Sequence, residues 1–219
     1  MPDLTSYLTQ FLNGLSYSML LFLTAAGLSV IFGLMNVANL AHGTFYMIGG
    51  YIGYSVVGYT GNFWLSLIVA PVVVGAIGYV LELTTLRPLY KRGHLSQVLL
   101  TFGFVFIGLD VVKWVWGADI RSIEPPAILA WSAQIAGRAF PVYRLFLIAF
   151  GLLITAGLWL FLERSNAGAT VRSGVSDKEM AQGLGINIPV VFSVTFGLGV
   201  ALAALSGVLA APVLGLFRA

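Results

Sequence analysis

The sequence predicts an all-α integral membrane protein, a polytopic bundle of about six transmembrane helices with one short helix on the cytoplasmic side. Composition indicates this first: 59% of the 219 residues are hydrophobic, 9% are charged and the mean hydropathy is +0.96. Charged residues make up roughly 25% of an ordinary soluble domain. Distribution indicates it again, because no Asp, Glu, Lys or Arg occurs between Asp3 and Glu82. The apolar runs are too long, and lack the alternation, for a β-barrel.

Six membrane segments follow from the requirement of about 20 mostly apolar residues for each helical crossing. They run at about 12–34, 41–60, 63–86, 95–116, 142–162 and 188–211. The second segment differs from the others because it contains five glycines with four tyrosines among them. Backbone that departs from a regular helix is tolerated at membrane depth where protein surrounds it. We therefore interpret the second segment as a tilted, broken or re-entrant helix.

Small residues recur four apart in three of these segments. They are Ala25, Ser29 and Gly33, then Gly49 and Gly53, then Ala203 and Gly207. Residues four apart lie on one helix face, where two backbones can approach closely. This spacing predicts helix packing.

The orientation is predicted from two basic connections, which hold Arg87, Lys91 and Arg92, and then Arg164, Arg172 and Lys178. Both lie on one side if the fourth and fifth segments cross fully, and the positive-inside rule makes that side the cytoplasm. The loop 117–141 is then external. The N-terminus is external too if the second segment also crosses.

Several function classes are disfavoured by what the sequence lacks. No Gly-Lys pair occurs, so the chain has no P-loop for nucleotide phosphates. With two His and no Cys, it has no zinc or haem constellation. The net charge of +3 resides in short clusters between apolar spans, which fits membrane orientation better than nucleic-acid binding. Nothing in the spacing of Ser, His and Asp predicts a membrane enzyme.

Asn36, Asn39 and His42 form the most distinctive polar group within the apolar region. Polar side chains in a membrane segment are costly unless they find partners or line a wet cavity. One interpretation is that they cap helices at a break between the first two segments. The other is that they line a substrate pathway. Spacing alone leaves both open.

The connection 163–187 is longer than a tight turn between two helices needs. Ser176 and Glu179 form the S-x-x-E pattern of a capping box, which predicts the start of a helix. Gly183 and Gly185 would end that helix within two turns. A helix this short does not persist alone, so something must pack against it.

Four motifs, in this order, resemble the shorter permease type of branched-chain amino-acid ABC importers. They are FGLMNVANLAHGTFYMIGGY at 32–51, LRPLYKRG at 86–93, the loop from Gly168 to Asn187 that closes on GLGIN, and ALAALSGVLAAP at 201–212. Leu40 stands where the family often has Phe. Family members usually continue for about two more spans, so residues 1–219 are expected to be a single transmembrane permease domain that is incomplete at its C-terminus.

The resemblance implies a multi-pass subunit of the bacterial inner membrane that carries branched-chain or related amino acids. It implies no cofactor on this chain, because ATP is used by cytoplasmic ATP-binding subunits. A second permease subunit, an extracytoplasmic solute-binding protein and membrane lipid complete the expected partners, with no nucleic acid. Asn36, Asn39 and His42 are candidates for the substrate pathway. Within the cytoplasmic coupling loop 163–187, the ATPase-coupling segment comprises Ser176, Asp177, Lys178, Glu179, Met180, Leu184 and Gly185.

Two alternatives stay open at this point. The same family with urea or a short amide as cargo is one, because the binding protein does much of the selecting. A passive small-solute channel is the other. The capped cytoplasmic helix argues against a channel, which has no need of a coupling element.

Overall fold

The computed structural model describes residues 4–90, 92–117, 119, 121–135, 137–176 and 178–216. Helices dominate this part of the chain. They are α1 (Leu4–Met35), α2 (His42–Thr60), α3 (Phe63–Leu81), α4 (His94–Trp116), α5 (Val142–Arg164), α6 (Asn166–Ser176), α7 (Lys178–Gly183) and α8 (Ile188–Leu214). A π-helical turn, Glu82–Leu86, and a 3-10 turn, Arg87–Leu89, prolong α3. Another 3-10 turn covers Ala127–Leu129.

Five elements of the described chain are long and apolar enough to cross a membrane. They are Leu4–Gly33, Phe63–Leu89, His94–Trp116, Val142–Arg164 and Ile188–Leu214. This confirms the predicted polytopic all-α bundle. The predicted second segment, which becomes α2, is not among the five, in keeping with its many glycines.

Helix α8 lies at the centre of the bundle and packs against α1, α2 and α3. Of its most apolar stretch, 61% is buried within the protein, against 11–28% in the other four candidate spans. The other spans therefore turn most of their apolar surface outward. Tyr143 of α5 adds a hydrogen bond of 2.8 Å from its hydroxyl to the backbone oxygen of Leu209 in α8.

Close packing by small residues is confirmed for α2 and α8 but wrong for the predicted face of α1. A Cβ at Gly49 would overlap the backbone of Ala204, and one at Gly207 would overlap the Tyr46 carbonyl. In contrast, Ala25, Ser29 and Gly33 are exposed. The α1 contact is instead made by Gly27 against the backbone of Gly199. The spacing of small residues in α1 therefore predicted a close contact made by a small residue, but on the wrong face of the helix.

The two basic connections lie at the same end of the bundle, as predicted. Arg87 donates to the backbone oxygen of Pro189, at the start of α8, over 2.8 Å. We call this end, with the start of α8, the inner end. Helix α1 runs antiparallel to α8, since Gly27 packs on Gly199 and Thr24 bonds to Ser206 over 3.0 Å. The N-terminal end of α1 is thus at the opposite end from the basic connections.

Helix α2 begins inside the bundle rather than at its inner end. The His42 Nε2 atom lies 2.9 Å from the Thr24 backbone oxygen. Thr24 is about three helical turns before the end of α1 at Met35. Residues 36–41 therefore run back along α1 before α2 starts. The interruption lies before the predicted second segment, because α2 itself is one continuous helix from His42 to Thr60.

Strands occur once in the described chain, in the loop 117–141. Strands β1 (Ser132–Ile135) and β2 (Arg138–Pro141) pair antiparallel around Gly137, whose φ is +80°. No strand was predicted for this loop from its sequence. The hairpin lies at the end opposite the basic connections, because α4 leads into it and α5 leads out of it.

Candidate functional site

The break between α1 and α2 is built around two asparagines. Asn36 ends α1 with a φ of +54°, a left-handed conformation that Asn adopts more readily than most residues. Asn39 is buried, and its Oδ1 accepts a hydrogen bond of 3.1 Å from the Ala41 amide. Its backbone oxygen accepts a second from the His42 amide over 3.2 Å. Asn39 thus accepts from two amides just before and at the start of α2, in the manner of an Asx turn. It is not the N-cap residue of α2, which is Ala41 and has no side-chain capping bond.

His42 and Asn39 each also carry one polar atom that none of these hydrogen bonds uses. The imidazole of His42 bonds to the Thr24 backbone oxygen and so ties α2 to α1. Asn39 Nδ2 and His42 Nδ1 are buried without a hydrogen-bond partner among the described residues. Such groups are rare in proteins, and each calls for an explanation such as a water, a ligand or a second conformation.

A buried carboxylate that the sequence analysis did not single out lies at the inner end of α3. Glu82 is fully buried in the π-helical turn and accepts hydrogen bonds from Tyr90, over 2.6 Å, and from Ser193 of α8. Arg87 Nη2 forms an ion pair with Glu82 Oε2 at 3.4 Å. Burial, together with the hydrogen bond to Glu82, raises the pKa of the Tyr90 phenol. The phenol therefore stays a donor, and the cluster joins α3 to α8.

A cleft of about 410 Å³ opens beside this cluster. It lies between the end of α1, the 3-10 turn, the start of α4, α7 and the start of α8. Its polar lining consists of Asn36, Arg87, Tyr90, His94, Gln97 and Gln182. Asn36, from the predicted pathway set, is therefore in the cleft, whereas Asn39 and His42 do not line it.

The predicted coupling segment forms two helices where one was expected. Helix α6 was not predicted, and Ser176 closes it instead of standing free before the next helix. Asp177 lies outside the described residues. Helix α7 then begins at Lys178. The capping pattern found the position of a helix start but missed the helix before it, whose composition is poor in strong helix formers.

The end of α7 follows the glycine prediction. Gly185 has a φ of +85°, and its amide bonds to the Gln182 oxygen over 2.9 Å. The Ile186 amide bonds back to the Ala181 oxygen over 3.1 Å. This pair of bonds is a Schellman motif, in which a left-handed residue ends a helix and satisfies its last carbonyls.

Helix α7 has one buried face and one exposed face. Ala181 is buried in the same apolar cluster as Ile188 and Phe192 of α8. Met180 in α7 and Leu184, directly after the last residue of α7, are four residues apart and are 67% and 77% exposed. Glu179 is exposed beside them. An apolar pair at this spacing on an exposed helix is the arrangement used in helix-in-groove recognition.

A comparison with protein families decides the class of this chain. The sequence profile described as the permease component of the branched-chain amino acid transport system matches residues 10–218. The chain belongs to this permease family. The predicted class, a transporter subunit of the ABC type rather than an enzyme, is thereby confirmed. With five candidate spans, the permease is a multi-pass protein of the bacterial inner membrane.

Individual relatives are similar over most of the permease. The high-affinity branched-chain amino acid transport system permease protein BraD of Pseudomonas aeruginosa is 28% identical over 95% of this chain and 72% of its own length. LivH of Escherichia coli K12 is 27% identical, over 93% of this chain and 70% of its own length. A probable branched-chain amino acid transport permease protein LivH of Methanocaldococcus jannaschii is 29% identical over 78% of this chain. No solved structure matches the chain.

Proposed function

We propose that this permease carries branched-chain or related amino acids inward and that ATP-binding subunits drive it through α7. The cargo is supported by the names of the relatives, all of which are called branched-chain amino acid transport permeases. A second permease subunit and an extracytoplasmic solute-binding protein complete the proposed complex. ATP acts on the partner subunits, because this sequence has no P-loop.

The observation that carries the coupling proposal is the two-faced geometry of α7. Its exposed side offers Met180, with Leu184 directly after the helix, and a Met side chain adapts readily to a groove. Its buried side, through Ala181, is part of the apolar cluster at the start of α8. A displacement of α7 by a partner is thereby passed to the central helix. The partner must bind the two conformations with different affinity for this to drive transport.

For the substrate pathway, we propose that Asn36 faces the route while Asn39 and His42 hold the break that shapes it. Asn36 is exposed in the inner cleft, whereas the other two are buried. Replacing Asn36 with Leu should reduce uptake in proteoliposomes and leave assembly intact. Replacing Asn39 or His42 with Leu should reduce assembly first. Normal uptake by Asn36→Leu would remove it from the pathway.

The coupling proposal is tested by combining Glu179→Lys with Met180→Asp. A charge on the apolar face should prevent docking, so the ATP-binding subunits should no longer copurify, and hydrolysis should no longer respond to the loaded binding protein. The matched control is Glu124→Lys with Ile128→Asp, because Ile128 is 69% exposed in the loop at the opposite end. That pair should retain the ATP-binding subunits.

Two results would redirect the proposal. Unchanged ATPase association and stimulation in the α7 double variant would remove α7 as the coupling element. Urea or a short amide, rather than leucine, isoleucine or valine, bound to the cognate binding protein would keep the importer and change its cargo.

A further inference from the structure

We infer that the inner cleft is a binding site for a zwitterionic α-amino acid with an apolar side chain. This rests on the proposed function and extends it, because it assigns a substrate class to one place on the cytoplasmic side of the route. Its volume of about 410 Å³ lies within the roughly 300–1,000 Å³ of small-molecule pockets.

Two residues that line the cleft carry buried polar atoms with opposite hydrogen-bonding needs. Gln97 is buried, and its Oε1, an acceptor, has no partner among the described residues. Arg87 Nε, a donor, is likewise buried and unpaired within that part of the chain. An unpaired buried polar atom is destabilising, so two in one cleft indicate a ligand that supplies a donor and an acceptor together.

The electrostatics of the cleft favour a ligand that carries both charges. The Arg87 guanidinium is already paired with Glu82, so the cluster has no net charge to attract a simple anion. An anion would also leave the Gln97 acceptor unpaired. An α-amino acid provides a carboxylate for Arg87 and an ammonium group for Gln97, and charge-assisted hydrogen bonds are the stronger kind.

The rest of the lining suits an apolar side chain. Met35, Ile188 and Phe192 line the same cleft, and all three belong to the apolar cluster at the inner end. Gln182 of α7 also lines it. A bound amino acid would therefore lie between the proposed coupling helix and the starts of α4 and α8.

The test uses the complex purified through this chain, in nanodiscs of phosphatidylcholine and phosphatidylglycerol, without binding protein or ATP. Radiolabelled L-leucine is the probe. Two competitors each lack one charge: 4-methylpentanoate has no ammonium group, and 3-methylbutylamine has no carboxylate. Leucine should bind saturably, and each competitor should be at least about tenfold weaker, as expected for the loss of one charge-assisted hydrogen bond.

Variants at Gln97 then locate the site. Gln97→Leu should weaken leucine binding about tenfold or more and leave 4-methylpentanoate unchanged, because that acid does not use the acceptor. Gln97→Glu keeps an acceptor and should keep leucine binding. Gln134→Leu, the same change on the exposed hairpin strand β1, is the matched control and should bind normally. If Gln97→Leu does not purify, Gln97→Met makes the same test with a closer match in shape.

Three results would overturn the assignment: no saturable leucine binding, leucine binding unchanged in both apolar Gln97 variants, or competitors as strong as leucine. An ethanolamine headgroup carries the same two charges, so displacement of leucine by glycerophosphoethanolamine at equal concentration would assign the cleft to lipid. Uptake is measured separately with the binding protein present. Normal leucine uptake with unaltered leucine binding in the Gln97 variants would reject the cleft as the binding site and leave the proposed function intact. Absence of uptake of every branched-chain amino acid by the unmodified complex would reject the proposed function.

Discussion

The central helix α8 is held by two different kinds of contact along its length. In its middle, Gly207 packs against the Tyr46 carbonyl of α2, and Ala204 packs against Gly49. At its inner end, Ser193 bonds to the carboxylate of Glu82, which is part of the continuation of α3. The first contact depends on shape and on the absence of side chains. The second depends on a polar network inside an apolar bundle.

The difference between the two contacts indicates where the permease can move. Association of helices in lipid depends on close packing, because an apolar side chain gains no hydrophobic free energy when it exchanges contact with a lipid tail for contact with another helix. A close backbone contact at a glycine is favourable in one geometry only, so a small displacement of either helix removes the packing. Hydrogen bonds at the inner end can be exchanged, because Arg87 and Tyr90 each offer donors beside a cleft. The inner end is thus where we expect conformational change.

The largest effect is expected from filling the shape-dependent contact. In Gly49→Val, the new side chain would overlap the backbone of Ala204, which cannot rotate away. Overpacking in a core typically costs 1–3 kcal/mol and can cost more. We expect a loss of more than about 3 kcal/mol here because the neighbour is backbone. Size-exclusion chromatography and thermal unfolding in detergent would measure it.

The same substitution on the exposed face of α1 provides the control. At Gly33, an added Cβ meets no atom within 4 Å in the described chain. Gly33→Val should therefore behave like the unmodified protein. If both variants unfold alike, the contact of α2 with α8 is no tighter than the exposed face of α1, and the comparison fails.

A smaller effect is expected from breaking the polar contact. Removing one partner of a buried ion pair costs about 3–5 kcal/mol. The Arg87 side chain is 30% exposed, so we expect Glu82→Leu to cost about 2–3 kcal/mol, because solvent screens part of the charge that is left unpaired. Thermal unfolding of the purified complex would measure this loss.

A double variant sharpens this prediction. Glu82→Leu with Arg87→Leu removes both charges and should recover part of the loss, since apolar replacement of a whole pair is often near neutral. A double variant less stable than Glu82→Leu alone would show that Arg87 stabilises the inner end through Pro189 more than through Glu82.

The parts of this fold that local patterns determine were predictable from the sequence. The third span began at residue 63 as predicted, and Asn187 and Pro189 start α8 as predicted. Gly185 supplies the left-handed residue that follows α7 and ends it. Each of these depends on residues within one turn of each other, so that a short stretch of sequence contains the whole cause.

The polar cluster and cleft depend on residues that are distant in the chain. Glu82 and Ser193 are 111 positions apart. In the sequence alone, one acidic residue at the end of an apolar span indicates only where the membrane span ends. Gln97 has no motif around it. A single acid after a long uncharged run was the one available indication, because such a residue needs partners wherever it is buried. Helix α6 was not predicted because packing, rather than its own composition, stabilises it. Gly168 lies against the carbonyls of Phe161 and Leu162 at the end of α5.

The smallest effect is expected at two matched helix caps, one at each end of the bundle. Asn187 Oδ1 accepts from the Val190 amide at the start of α8 over 3.3 Å, and Asn62 Oδ1 accepts from the Leu65 amide at the start of α3 over 3.2 Å. Loss of such a cap costs about 0.5–2 kcal/mol. Both bonds are long and Asn62 is exposed, so we expect Asn62→Ala and Asn187→Ala each to cost about 0.5 kcal/mol, the low end of that range.

The functional consequences of these two caps should nevertheless differ. Asn187 lies between α7 and the cleft residue Pro189, so loosening it weakens the connection through which a displacement of α7 reaches α8. Asn62 is at the opposite end of the bundle, away from any proposed coupling contact. Stimulation of ATP hydrolysis by the loaded binding protein should fall in Asn187→Ala, persist in Asn62→Ala and be restored in Asn187→Ser, which keeps a capping oxygen. Equal stimulation of ATP hydrolysis in both alanine variants would mean that the start of α8 does not pass a displacement of α7 to the rest of α8. The inner end would then differ from the middle of the bundle only in its polar contacts.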